Sequence, residues 1–336
     1  MKISGSAHTL YPVDTFFGLL YTKDKVREIP HRYPFKGEWG RILSTHILED
    51  EDDTVPQILD VVYLSVVEKK FYSVEERLRD SYLRECISEY PVTHIVIGMA
   101  PYGLVVVWVC GPLKSKYIDS YIGEEINVGM DQFAPSIEGV SLNDYCEECI
   151  EKFDDVKQNI LHGGLPPKSL FVKYMQQFVY RYFPMLEKWD GDKWEPYKEE
   201  DPLRPQLDWC EESLYDGTYD KLHDGRLMNY HEAGKPKRLA VKWHVGKCEY
   251  SAYFWFDEVK ICEIFDRFYG IHRDTKSDFI IRIDGEAKKY ELALFRYGLK
   301  VPQVIPATAY QMIVFKNKFE DYRSENYDQP HGAWIW

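Results

Sequence analysis

The chain has 336 residues, enough for one large or two ordinary domains. Its composition, 45% hydrophobic, 29% charged and 15% aromatic, excludes a disordered chain and is that of a folded globular protein. A formal net charge of −13 argues against nucleic-acid binding, which needs a basic footprint to displace phosphate counterions, and suits a basic partner.

The N-terminus, MKISGSAHTLYPVDTFFG, has no apolar core of signal-peptide length and no Cys after a hydrophobic run. A cytoplasmic location is expected for the chain as it stands, and a periplasmic one if a leader has been trimmed. No stretch approaches the roughly 18 apolar residues of a membrane span, so none is expected. Phe16 to Tyr21 predicts an opening strand. Tyr33 to Gly40 predicts a turn with Trp39 anchored between Gly37 and Gly40, and the acidic run Glu49 to Asp53 reads as a solvated loop.

Leu59 to Pro112 is the most informative stretch. Leu59 to Val67 is rich in β-branched residues and predicts a strand buried on at least one face. Ser73 and Glu76 have capping-box spacing, which predicts a helix to about Tyr90, stopped by Pro91. Val74, Leu78, Tyr82, Leu83, Cys86 and Ile87 would form its apolar stripe. His94 to Met99 and Leu104 to Cys110 predict two strands, joined by a hairpin turn at Ala100-Pro101-Tyr102-Gly103.

Residues 141–186 read as mostly helical. Ser141 with Asp144 starts one helix, which His162-Gly163-Gly164 ends. A second is predicted from Lys168 to Phe183, with Leu170, Phe171, Tyr174, Phe178 and Tyr182 on one side. Residues 187–236 turn polar and punctuated, and predict a linker between an N-terminal lobe with a helical extension, 1–186, and a C-terminal lobe, 237–336.

In the second lobe the earlier pattern returns. Leu239 to Trp243 can be laid on Leu59 to Tyr63, Asp257 to Tyr269 on the earlier helix, and Phe279 to Ile283 with Tyr290 to Arg296 on the earlier strand pair. The fold expected is α+β: two lobes of mainly antiparallel sheet packed with helices, the repeated pattern being read either as an internal duplication or as a coincidence of common elements. Tyr310 to Phe319 reads as a strand or a helix, and the tail ending in Trp334 and Trp336 reads as packed.

No G-x-S-x-G elbow, H-E-x-x-H, Walker loop, G-x-G-x-x-G or EF-hand loop occurs, so no catalytic residue is assigned. The ten His are scattered, and His231-Glu232 is not a spaced zinc pair. Of the seven Cys, Cys86, Cys110, Cys248 and Cys262 read as buried free thiols. Cys146 and Cys149 form a C-x-x-C with no second pair, so neither metal nor cofactor is expected. Trp189, Asp190, Asp192, Trp194 and Glu195 set two Trp among acids, a composition suited to gripping a basic protein partner. The same acids can be read as a carboxylate pair or as a simple turn.

Gly37-x-Trp39-Gly40, the strand running through Lys70-Phe71-Tyr72 into Glu75-Glu76, and the closing Trp108-x-x-Gly111 resemble an uncharacterised bacterial family, the domain of unknown function numbered twenty-nine thirty-one. The resemblance covers about residues 33–125. Its aromatic and glycine anchors, Gly37, Trp39, Gly40, Phe71, Tyr72, Trp108 and Gly111, are structural rather than catalytic. Members of that family look like accessory proteins, many of them lipoproteins, some encoded near type VI secretion effectors. The resemblance implies a non-enzymatic immunity protein that covers the active site of a cognate toxic effector with a basic surface. This chain departs from the pattern in lacking a lipoprotein signal and in its long C-terminal part. The alternatives are an enzyme with an unfamiliar site between the lobes, using Asp190, Asp192 or His231, and a scaffold or adaptor protein.

Overall fold

The computed structural model describes residues 2–30, 34–45, 55–89, 92–222 and 228–318. Tyr33, the acidic run Glu49 to Asp53, the expected helix stop at Tyr90 and Pro91, and residues 319–336 lie outside them.

The first half opens with β1 (Lys2–Ala7), β2 (Val13–Tyr21), β3 (Val26–Glu28) and β4 (Ser44–Thr45). A hairpin follows, β5 (Ile58–Ser65) and β6 (Lys70–Arg77), then helix α1 (Asp80–Glu89). The half closes with the hairpin β7 (His94–Met99) and β8 (Leu104–Cys110), then β9 (Lys114–Ile122) and β10 (Glu124–Ile126). Helices α2 (Met130–Phe133), α3 (Leu142–Glu151), α4 (Asp154–His162) and α5 (Lys168–Tyr174) connect it to the second half. There β11 (Phe178–Trp189), β12 (Trp194–Pro196), β13 (Gln206–Leu214), β14 (Tyr219–Leu222) and β15 (His231–Ala233) come first. Then come β16 (Pro236–Val245), β17 (Cys248–Phe256), α6 (Glu258–Tyr269), β18 (Ser277–Asp284), β19 (Tyr290–Arg296), β20 (Gln303–Val304) and β21 (Tyr310–Lys318). The fold is α+β, as expected.

The pairing scheme of the first half recurs in the second. In the first, the order β4-β1-β7-β8-β9 makes one sheet region and β10-β6-β5-β2-β3 a second sheet. In the second, β12-β11-β18-β19-β20 and β21-β17-β16-β13-β14 run in the same order. β1 lies parallel to β7, and β11 parallel to β18; the other pairs in both schemes are antiparallel. The corresponding pairs β2–β5 and β13–β16 each carry a bulge near the same end, between Thr15 and Phe17 and between Leu207 and Trp209.

The two halves share one lamina. β14 pairs with β9 through Tyr219 opposite Ser115 and Asp220 opposite Lys114, fusing five strands of each half into a ten-stranded sheet. The seam is reinforced by side chains: Ser115 Oγ donates to the Gly217 carbonyl at 3.0 Å and accepts from the Tyr219 N–H at 3.1 Å. Lys114 pairs with Asp220 at 2.7 Å.

Burial explains the strand sequences. Every residue of β8, LVVVWVC, is buried because its sheet is covered on both faces. Val105, Val107 and Val109 pack with Tyr63 and Leu83 in the first-half core, while Val106, Trp108 and Cys110 meet Phe171 and Tyr174 of α5 and Cys262 of α6. Helices α2 and α3 cover the outer face of the other first-half sheet, where Leu64 and Phe71 meet Phe133, Cys146 and Cys149. Ser141 caps α3 as its spacing predicts, accepting the Asp144 N–H.

Three expectations are corrected. The capping-box pattern at Ser73 and Glu76 starts no helix: both lie in β6, with Ser73 between Val62 and Glu124, and α1 begins only at Asp80. Phe71, Tyr72 and Val74 are buried in the sheet, and that burial overrides local helix signals. The helix expected from Lys168 to Phe183 stops at Tyr174; Phe178, Tyr180 and Tyr182 are buried at every second position of β11, a strand period. Finally, residues 187–236 are not a linker. They hold β12 to β15, and β13 pairs with β14 and β16 inside the ten-stranded sheet.

Candidate functional site

Four of the seven motif anchors, Trp39, Gly40, Trp108 and Gly111, meet at the junction of the halves. Trp39 and Trp108 pack edge to face, ring centroids 4.9 Å apart, and the Trp108 indole N–H donates to the Asp216 carbonyl at 2.9 Å. Gly40 has a φ of +76°, and a Cβ there would stand 2.2 Å from the Gly217 carbonyl oxygen. Gly111 accepts the Tyr219 hydroxyl at 3.3 Å, and Gly37 leaves space for Leu43. Phe71 and Tyr72 lie elsewhere, Phe71 against Phe133 under α2 and Tyr72 bonded to Glu68.

Beside this junction lies a cavity of about 370 Å³ lined by both halves. The first half supplies His8, Glu38, Trp39 and Arg41; the second supplies Tyr215, Tyr219, Lys237 and Glu258 among others. Arg41 is held in place: its guanidinium lies 3.3 Å over the Tyr219 ring, and its Nε stands 3.4 Å from Glu38. His8 stacks on Tyr11 at 4.7 Å, and its Nδ1 accepts the Leu10 N–H at 3.2 Å. Burial, then the nearby Lys237 ammonium, hold the imidazole well below its ordinary pKa, so the ring is neutral with its proton on Nε2. Glu258, at the start of α6, has its carboxyl raised by burial. Among the described residues neither Lys237 nor Glu258 makes a hydrogen bond or an ion pair.

The partner-contact residues expected from sequence come together at another place. Trp189 and Trp194 face each other across the β11–β12 hairpin, rings 5.2 Å apart. Asp190 Oδ1 accepts the N–H groups of Asp192 and Lys193, which closes the turn and holds its carboxyl below the usual range. Glu195 pairs with Lys193 at 2.7 Å. Lys289 covers Trp189 and Arg282 covers Trp194, so both rings are half-buried. The five residues thus form one hairpin tip whose internal contacts account for most of their chemistry.

His231 is apart from both places. It sits in β15 against buried Glu212, Nε2 to Oε1 3.8 Å, with Nδ1 3.0 Å from the Asn229 carbonyl. Burial opposes its protonation, but Glu212 and the Asn229 carbonyl outweigh it and raise the pKa. None of Asp190, Asp192 and His231 lines the cavity. Cys146 and Cys149 lie buried under the sheet, their thiols pushed by burial to about 12 and about 11. Among the described residues no three His, Cys, Asp or Glu side chains group as metal ligands, and no helix is long and apolar enough to cross a membrane.

A further surface carries no sequence motif. The outer face of β17 and β21 displays Tyr253, Trp255, Ile313 and Phe315, the last three 38%, 50% and 54% exposed. Tyr253 stacks on Trp255 and meets Phe315 edge-on, both at 5.8 Å. The ion pairs Arg238–Glu211 and Lys242–Glu249 border the patch. With Tyr63 opposite Tyr72 set on Trp243 opposite Tyr250, the places of Tyr253 and Trp255 correspond to Glu75 and Arg77 in the first half. Both of those are exposed and charged.

No curated protein and no solved structure matches the chain. Residues 31–166, from the Gly-x-Trp-Gly turn through α4, match the model of the family described as "Protein of unknown function (DUF2931)". The match extends past the stretch expected from the anchors, takes in α1 to α4, and leaves out the whole second half with its side of the junction.

Proposed function

We propose that the protein is a non-enzymatic binding protein that engages a protein partner through the outer face of β17 and β21. The observation that carries this reading is the contiguous patch of Tyr253, Trp255, Ile313 and Phe315, exposed where the first half holds Glu75 and Arg77. Large aromatics on a sheet face, bordered by charge pairs, have the make-up of an interface centre with a polar rim. The net charge of −13 directs the choice of partner to a basic surface.

In its most concrete form the protein is an immunity protein of the type VI secretion kind, which neutralises a toxic effector by covering its active site. This form rests on what the resemblance implies; the family matched over residues 31–166 is itself described only as of unknown function. The matching pairing schemes support a further element of the proposal, descent of the two halves from one duplicated unit, after which the second half's face diverged into the contact surface. Turnover in the cavity finds less support: His8 Nδ1 is engaged by a backbone N–H, and Glu258 holds no nucleophile within hydrogen-bond reach among the described residues.

The test is co-expression with the product of the adjacent gene, followed by size-exclusion chromatography. Stoichiometric co-elution, rescue of cells from a neighbour toxic on its own, and loss of both with Trp255→Glu and Phe315→Glu are expected. A lone peak and no rescue would sink the reading.

A further inference from the structure

The sheets of this protein end on short strands, with one exception. Among the described residues β4, β10, β3, β12 and β20 close their sheets with two or three residues each. β21 closes the ten-stranded sheet with nine. Its counterpart in the pairing scheme of the first half is β10, a strand of three residues. A long edge offers unpaired backbone donors and acceptors to any strand that reaches it, and proteins blunt such edges with Pro, bulges or charges. β21 contains no Pro and no acid, and its register with β17 runs unbroken from Tyr310 opposite Phe256 to Lys318 opposite Cys248. Its only charges, Lys316 and Lys318, stand at the C-terminal end, with the Lys316 ammonium 5.2 Å over the Tyr250 ring.

The Asp257 N–H donates to the Ala309 carbonyl at 2.8 Å, one step past the last ladder pair. Antiparallel alternation then aims the backbone groups of Gln311, Ile313, Phe315 and Asn317 at β17, and turns those of Tyr310, Met312, Val314 and Lys316 outward. The side chains alternate as well: Gln311, Ile313, Phe315 and Asn317 are exposed on the outer face. This row is symmetric about Val314, with an apolar residue and then an amide on each side. A second β21 laid antiparallel about Val314 sets Phe315 opposite Ile313 and Gln311 opposite Asn317 on both sides of the dyad. Lys316 falls opposite Met312, so no like charges meet. The strand thus joins two chains of net charge −13 without repulsion across the contact.

We propose that β21 is a dimerisation edge, which pairs antiparallel with β21 of a second copy of this chain about a dyad at Val314. The ten-stranded sheet then continues into its copy. The dyad stands perpendicular to the sheet, so the Tyr253, Trp255, Ile313 and Phe315 patches of the two copies adjoin on one side. The dimer does not depend on the partner-binding reading: a partner meets the exposed side chains of this face, whereas the second copy meets the backbone of the edge.

The experiment is sedimentation velocity on the whole chain alone over a range of concentrations, where a concentration-dependent dimer is expected. Val314→Pro removes an outward N–H and spares the bonds to β17, so it should weaken the dimer by about tenfold or more and keep the native far-UV spectrum. Cysteine pairing reads the register without a backbone change. Ile313 and Phe315 face each other across the dyad as a non-hydrogen-bonded pair, the closer kind. A mixture of Ile313→Cys and Phe315→Cys chains should form a covalent dimer on mild oxidation, and neither variant alone should, with the wild type as background for its own thiols. A monomer at every concentration overturns the proposal, as does a dimer that Val314→Pro leaves unchanged or that forms no crosslink in the mixture. Crosslinking of each single variant as readily as of the mixture overturns the register. A chain that is monomeric alone but loses a co-expressed partner on Val314→Pro gives the edge to that partner and overturns the second copy.

Discussion

Tyr63 and Trp243 hold the same position in the two halves. Each is fully buried in the central strand of its five-strand array, β5 or β16, opposite a tyrosine, Tyr72 or Tyr250. Each sends its polar hydrogen to the turn of the next hairpin: the Tyr63 hydroxyl to the Ala100 carbonyl at 2.6 Å, the Trp243 indole to the Gly285 carbonyl at 2.8 Å. Both turns also carry a non-glycine residue at positive φ, Tyr102 at 64° and Ala287 at 60°. A large aromatic ring thus spans the space between two sheets and ends on a backbone acceptor in each half.

Removing that bond should destabilise each half. Tyr63→Phe strands the Ala100 carbonyl and is expected to lower stability by about 1 to 2 kcal/mol. Trp243→Phe also leaves a void and should cost more, about 2 to 4 kcal/mol. Urea unfolding of the two variants measures both; a loss confined to one half would contradict the shared role.

Asp216 is fully buried, and burial pushes its carboxyl to about 6, against the pull of Gln177 Nε2 and the Thr218 N–H, each at 2.8 Å. A carboxyl raised from 3.8 favours the native state when protonated, so its contribution falls as pH rises from the unfolded value to the folded one and is constant above. Asp216→Asn removes that cost. The variant should gain about 1 to 3 kcal/mol on wild type between pH 4 and pH 7, read from denaturation midpoints at the two values.

His231 has the opposite sign. Its pKa is raised above 6.5, so its contribution is complete below the unfolded value and is lost as pH rises through the folded one. His231→Gln is therefore expected to be less stable than wild type in mildly acidic buffer and to converge with it in alkaline buffer. Chemical denaturation on both sides of the transition tests this; a constant difference would refute the pairing with Glu212.

The Trp189–Trp194 pair predicts a coupling rather than a partner contact. Single alanine variants should each destabilise the hairpin, and a double-mutant cycle should return about 0.5 to 1.5 kcal/mol of interaction between the rings. An additive pair would return these residues to the list of free surface anchors.

Much of the framework was legible where side-chain period and turn chemistry agree. His94 to Cys110 gives two apolar runs around Pro101-Tyr102-Gly103, and the structure forms that hairpin. Laying Trp243 on Tyr63 likewise paired two residues whose surroundings are alike. Ser73 and Glu76 misled because capping-box spacing also fits a strand that puts Ser73 and Glu75 on one face and Glu76 on the other; only pairing with β5 decides. β13 was hidden by its acids, since Glu212 is buried and looks like a loop residue in sequence. The cavity was not legible at all. Nothing in spacing or composition joins His8 to Lys237, which line one cavity in a molecule whose halves are joined where β14 docks beside β9.

That docking decides how the protein can be handled. A cut between α5 and β11 would sever no strand, yet it would strip β9 and β14 of their neighbours and leave each fragment with a bare row of backbone donors and acceptors. Trp39 and Trp108 would lose the Gly217 loop that caps them. Either fragment produced alone should self-associate, whereas the two produced together should recover a soluble complex.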